Sequence, residues 1–165
     1  MITRTSKILL VSGIALLFTL VVFNNLTDFY SNYQFVQHVL SMDSTFPGNH
    51  GLWRAITWPA AHLTFYISII AWEIATALLL WWGGIRLLRA RRQANGEFHR
   101  AKGIAVLGLT ASMLMFLVAF LAIGAEWFLM WQSHIWNGQE AAFRMFALSA
   151  MVLIFLMQPE NEAQP

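Results

Sequence analysis

Glu73 lies between Trp72 and Ile74 inside a long apolar run, where an ionised side chain at the centre of a membrane helix costs ~2.5 kcal/mol or more. Steps of four and three from His62 give Tyr66, Ile69, Glu73, Thr76 and Leu80, so one helical stripe of this run holds four of its polar side chains. A second carboxylate, Glu126, ends a face of small residues, Gly108, Ser112, Met115, Ala119 and Ala122, that would let two helices approach closely. It is expected to point into a bundle and to pair with Arg144, in the first turns of the next run. Asn24 and Asp28 end the first run and His62 begins the second, so the reading by depth is one polar cluster: Asn24, Asp28, His62, Tyr66, Glu73, Glu126 and Arg144. Two chemistries fit it. Either the groups fix helix register, with Glu73 bonded to Tyr66, Thr76 or Ser112, or the carboxylates line a route for protons, a cation or a polar ligand. Arg144 also has a local alternative partner in Glu140, four residues earlier.

Other constellations are weaker. Cysteine is absent, which removes disulfides, thiolate metal sites and cysteine nucleophiles. His38, Asp43, His50 and His62 show no recognised zinc spacing, and no metal site is expected. Haem between facing histidines is a third reading, but only His62 and His134 lie near apolar runs. No nucleophile with its base and no nucleotide loop is present, so an enzyme is not expected and no cofactor is assigned.

The elements that must position these groups are four apolar runs, and they yield an all-α integral membrane bundle. The spans fall at about 8–26, 59–85, 103–131 and 140–157, within a single domain over 1–165, each close to the ~20 residues a helix needs to cross ~30 Å of hydrocarbon. Hydrophobic residues make up 58% of the 165 and charged residues only 11%, well below the ~25% of a soluble domain. Eight of the ten Lys and Arg residues precede the first span or separate the second from the third: Arg4, Lys7, Arg86, Arg89, Arg91, Arg92, Arg100 and Lys102. The positive-inside rule makes both segments cytoplasmic, and an even number of spans returns the tail Gln158 to Pro165 to that side. The run Arg86 to Arg92 is read as a topology determinant touching anionic headgroups, with no nucleic-acid partner.

The outward loop between the first two spans is too long for a simple connection. Phe35, Val36, Val39, Leu40 and Met42 recur at helical spacing, which predicts a short amphipathic helix lying in the interface. Leu52, Trp53 and Ile56 suggest a second interfacial turn, ending where Pro59 opens the second span. His38, Asp43, Arg54, Trp131 and Asn137 are the candidate outer-loop and interface residues. The tryptophans near span ends serve as interface anchors.

Two strings go beyond composition. One runs Phe23-Asn24-Asn25-Leu26-Thr27-Asp28 and on through Gln34-Phe35-Val36-Gln37-His38-Val39-Leu40-Ser41-Met42-Asp43; the other is Glu126-Trp127-Phe128-Leu129-Met130-Trp131-Gln132-Ser133 followed by Trp136-Asn137-Gly138-Gln139. With Trp53-Arg54-Ala55-Ile56 and Ala71-Trp72-Glu73, they resemble the bacterial family of predicted small integral membrane proteins known as domain of unknown function 2165. The resemblance implies a four-span protein of the bacterial inner membrane with no assigned activity. It carries over no catalytic residue. The expectation is a non-enzymatic accessory or interaction subunit, held in the lipid bilayer beside a membrane-protein partner or a second copy, and the alternative is a small transporter or proton-linked module built on Glu73.

Overall fold

The computed structural model describes residues 1–160; the end of the expected cytoplasmic tail, 161–165, lies outside the described residues. Helices account for every regular element, in the order α1 (Ile2–Thr27), α2 (Phe29–Ser41), α3 (Pro59–Ala90), α4 (Asn95–Ala101), α5 (Gly103–Leu114) and α6 (Gln139–Met157). α5 runs on into a π-helical stretch, Met115–Trp127, and 3₁₀ turns lie at Leu52–Arg54 and Met130–Gln132. Among the described residues, four helical units are long and apolar enough to cross a membrane: α1, α3, the stretch from α4 through the π-helix, and α6.

Their ends depart from the expected spans for local reasons. α1 and α3 extend into their basic flanks, since a helix satisfies its own backbone groups wherever the chain runs. The third span stops at Trp127 instead of Trp131, because Leu129 adopts the left-handed conformation (φ 55°) and turns the chain. Pro59 is the first residue of α3, as expected, preceded by Trp58 in an extended conformation.

α3 is the central helix, packed against α1 on one side and α5 on the other, while α6 lies on α5 and the π-helix and touches α1 to close the ring. The α3–α5 contact is close because it lacks side chains: a Cβ on Gly83 would come within 2.6 Å of the Ala105 Cα, and one on Gly108 within 2.9 Å of Leu80. Ser112 and Ser149 share a buried hydrogen bond of 2.7 Å that ties α5 to α6. The lipid side is apolar too, with Leu16, Leu20, Leu78, Ile85, Leu107, Met151 and Ile154 exposed. A helix that is hydrophobic all round suits lipid or a protein interior.

At one end, the basic end, lie Arg86 to Lys102 and the start of α1. The other is capped. There α2 is longer than the sequence suggested, and its Val36, Val39 and Leu40 are buried against Tyr66, Ile70, Ala125, Phe128 and Met130. The apolar face expected in the interface is thus committed to the bundle.

Candidate functional site

The core-facing stripe of α1 runs through Lys7, Val11, Ala15, Phe18 and Asn25, all buried. Lys7 and Asn25 lie five turns apart at about 3.6 residues per turn, so this one stripe carries a polar group at each end. Asn25 meets Glu73, which is only 4% exposed: the Asn25 amide donates to Glu73 Oε2 at 2.6 Å. The Tyr66 hydroxyl donates to the Asn25 backbone oxygen at 3.1 Å, in the last turn of α1 where carbonyls have no helical partner. Phe29 and Tyr33 at the start of α2 lie against the Tyr66 ring, with centroids at 4.8 and 6.0 Å, and cover the group.

Glu73, Tyr66 and Asn25 therefore form the buried polar centre of the capped half, and the expected cluster is corrected in several places. Asn24 and Asp28 are exposed: Asn24 sits one position off the buried phase of α1, and Asp28 lies past the helix end as its C-cap, with non-helical backbone (φ −118°, ψ 54°) and its N–H donated to the Asn24 carbonyl. Glu73 is bonded to none of its three expected partners: the Tyr66 hydroxyl goes to Asn25, Ser112 is taken by Ser149, and Thr76 makes no bond to it. Glu126 and Arg144 are both exposed and do not pair, nor does Glu140 pair with Arg144. The cause is the π-helix. Its hydrogen bonds reach five residues back, as in Phe128 N–H to Ile123 C=O, so the stripe from Gly108 through Ser112 and Met115 does not continue to Ala122 and Glu126. Gly124 and Ala125 are buried in their place.

His62 is buried and structural. Its ring Nε2 donates to the Ile56 carbonyl at 2.6 Å while the Ile56 N–H donates to Leu40, which holds the loop against the end of α2. His38 stacks on Trp136 (centroids 4.4 Å apart) and its Nδ1 donates to Asp43 at 2.7 Å. The Arg54 guanidinium lies over the rings of Trp53 and Trp127, at 5.9 and 5.5 Å. Trp131 meets the edge of Phe46, and the Asn137 side chain accepts from the Gln139 N–H at the start of α6. Gln132 accepts from Phe46 N–H and Asn49, and Ser44 donates to Ser133, so the two loops of this end form one cap. These residues are brought together, but as cross-braces.

The charged centre of the molecule is at the basic end, in residues the sequence reading did not combine. Lys7 Nζ and Lys102 Nζ lie 2.6 and 3.0 Å from Glu160 Oε1, and Arg4 Nε lies 3.8 Å from its Oε2. Both lysines also donate to the Gln158 carbonyl, at 2.6 and 3.2 Å. Lys7 is fully buried and Lys102 is 2% exposed. Burial pushes the Glu160 carboxyl up, but the hydrogen bonds from Lys7 and Lys102 outweigh it and hold the group below the usual carboxylate range. The phase of Lys7 on the α1 stripe was a usable signal. Nothing in the sequence marks Glu160, whose position depends on where α6 ends.

A largely apolar groove of about 270 Å³ lies between α2, α3 and the π-helix, lined among others by Phe35, Leu40, Phe65, Trp72 and Ile123. Glu73 does not line it. A family described as predicted small integral membrane protein (DUF2165) matches residues 3–159. No curated protein and no solved structure matches the chain.

Proposed function

The chain belongs to this family of small integral membrane proteins, and from that premise we propose that it is a non-enzymatic accessory subunit of a larger assembly in the bacterial cytoplasmic membrane. The observation that carries the reading is the state of Glu73, the group best suited to membrane chemistry. It is buried, bonded to Asn25 and roofed by α2. The buried polar groups of the capped half, Asn25, Tyr66 and His62, hold a helix end or a loop in place, and buried networks of this kind rigidify a fold. The basic end faces the cytoplasm in this proposal, by the placement of eight of ten basic residues.

Purification from the native host in mild detergent should bring down one membrane partner in fixed ratio. A lone, monodisperse protein recovered from native lipid would sink the proposal. The proton-linked alternative draws on one observation: Thr76 Oγ1, one turn from Glu73, is buried without a hydrogen-bond partner among the described residues. It predicts that Glu73→Gln abolishes a proton flux in proteoliposomes, whereas the accessory reading predicts no flux in either form. Haem, the third reading, would show as a Soret band in the same preparation; the His62 ring already donates to Ile56.

A further inference from the structure

At the basic end the cations and the anion come from different kinds of structure. Arg4 and Lys7 are on α1, and Lys102 joins α4 to α5. Arg4 is braced by donating to the carbonyls of Arg91 and Gln93, at 3.0 and 2.7 Å, and to the Asn95 side chain. Phe98, fully buried, lies under both Arg4 and Lys102, with the cations 4.7 and 5.7 Å from its centroid. The cationic half is thus built into the packed bundle. The carboxylate is not: Glu160 is on the segment that leaves α6 after Met157, in no regular structure, and reaches the site across Gln158 and Pro159.

Three cationic groups meet a single carboxylate among the described residues. Buried cations need an anionic partner, because an uncompensated charge in such a place is strongly destabilising. A phosphate group offers at least the same charge, with more acceptor oxygens for the Lys7, Lys102 and Arg4 donors. Basic pockets between membrane helices at the cytoplasmic surface suit phosphate headgroups.

We propose that Arg4, Lys7 and Lys102 form a phosphate-binding site at the basic end, and that Glu160 is an intramolecular occupant which a phosphate group displaces. The phosphate belongs to a lipid headgroup or is free in solution. Displacement releases the segment after α6 from the bundle, so the site couples anion binding to exposure of that segment.

The test uses the full chain, purified in neutral detergent without phosphate, and follows thermal stability during titration with inorganic phosphate or with dioctanoyl phosphatidic acid. Glu160→Gln should respond saturably to one of the two, with an apparent affinity about tenfold above wild type, the factor expected if the segment fills the site about nine-tenths of the time. The responding probe identifies the source. Arg92→Gln, which removes an exposed arginine, should keep the wild-type response, and Lys7→Gln combined with Glu160→Gln should lose it. A Glu160→Gln variant that answers neither probe, or a double variant that still answers, overturns the proposal. Should Glu160→Gln fail to fold, the wild-type site is read from a spin label on Gln158→Cys, an exposed position in a chain without other cysteines. Its mobility must rise as the bound probe displaces Glu160; an unchanged spectrum at saturating concentrations of both probes overturns the proposal equally.

Discussion

Asn25 serves two partners at once, with its amide on Glu73 and its backbone carbonyl on the Tyr66 hydroxyl. Asn25→Ala removes the amide and leaves a buried carboxylate without its donor, which should cost ~1–3 kcal/mol. Asn24→Ala, one residue away and exposed, should stay within ~0.5 kcal/mol of wild type. Chemical denaturation in detergent separates the two, and equal losses would refute the assigned phase of α1. Glu126→Gln and Arg144→Gln should each leave the melting temperature unchanged. A loss in both that the charge-swapped double mutant recovers would reinstate their pairing. Glu160 supplies a pH dependence with a definite sign. Its folded pKa lies below the unfolded one, so its contribution is present above the ordinary carboxylate value of ~4.3 and is lost as pH falls through the folded value. The stability difference between wild type and Glu160→Gln should therefore be constant near neutral pH and shrink on acidification below ~4.3. A difference that grows in acid would show that the carboxylate is not what holds the segment.

At the scale of elements, the bundle depends on how closely α3 approaches α5. Gly83→Ala places a methyl 2.6 Å from the Ala105 Cα, a backbone atom that cannot turn aside, and overpacking of this kind costs ~1–3 kcal/mol. Gly103→Ala, at the start of α5 with nothing within 4 Å, should be neutral or slightly stabilising, as alanine is the better helix former. Thermal unfolding of the two variants decides the matter: similar curves would mean that the α3–α5 approach is not tight. The π-helix is the other decisive element. It takes Glu126 off the buried face and brings Gly124 and Ala125 onto it, where Ala125 packs beside the cap residues Phe128 and Met130. π-helical segments are frequent at functional sites, and this one forms a wall of the lateral groove.

The molecule as a whole is two units in one bundle: a cap over an Asn25–Glu73–Tyr66 centre at one end and a ring of cations around Glu160 at the other. Between them the helices meet mainly through apolar residues, with the Ser112–Ser149 bond and the Trp72 and Trp81 indole N–H groups, donated to the Ala111 carbonyl and the Thr19 hydroxyl, as polar links. The proposed orientation is testable directly. Reporter fusions after Gln93 should read cytoplasmic and one after Asn49 should read outward; an outward signal at Gln93 would invert the assignment of both ends.

Length and hydropathy determined the four helices, the Pro59 start and the amphipathic character of α2, because each depends on local pattern alone. The buried stripe of α3 was legible in all but one residue: His62, Tyr66, Glu73, Thr76 and Leu80 are buried as expected, while Ile69 is half-buried and its neighbour Ile70 is buried in its place. The family was legible too, from strings that survive in order along the chain. Which residue meets Glu73 was decided by tertiary structure, since chain depth favoured Asn24 while the rotational phase of α1 delivers Asn25. A change of helical pitch inside the third span exposed Glu126, and the small-residue face gives no warning of it. At the Glu160 site only the phase of Lys7 on the α1 stripe was legible, and the carboxylate that meets it was not. Its partners Lys7 and Lys102 are 153 and 58 residues away, and they converge only because α1, the α4–α5 junction and the end of α6 finish at the same level of the bundle.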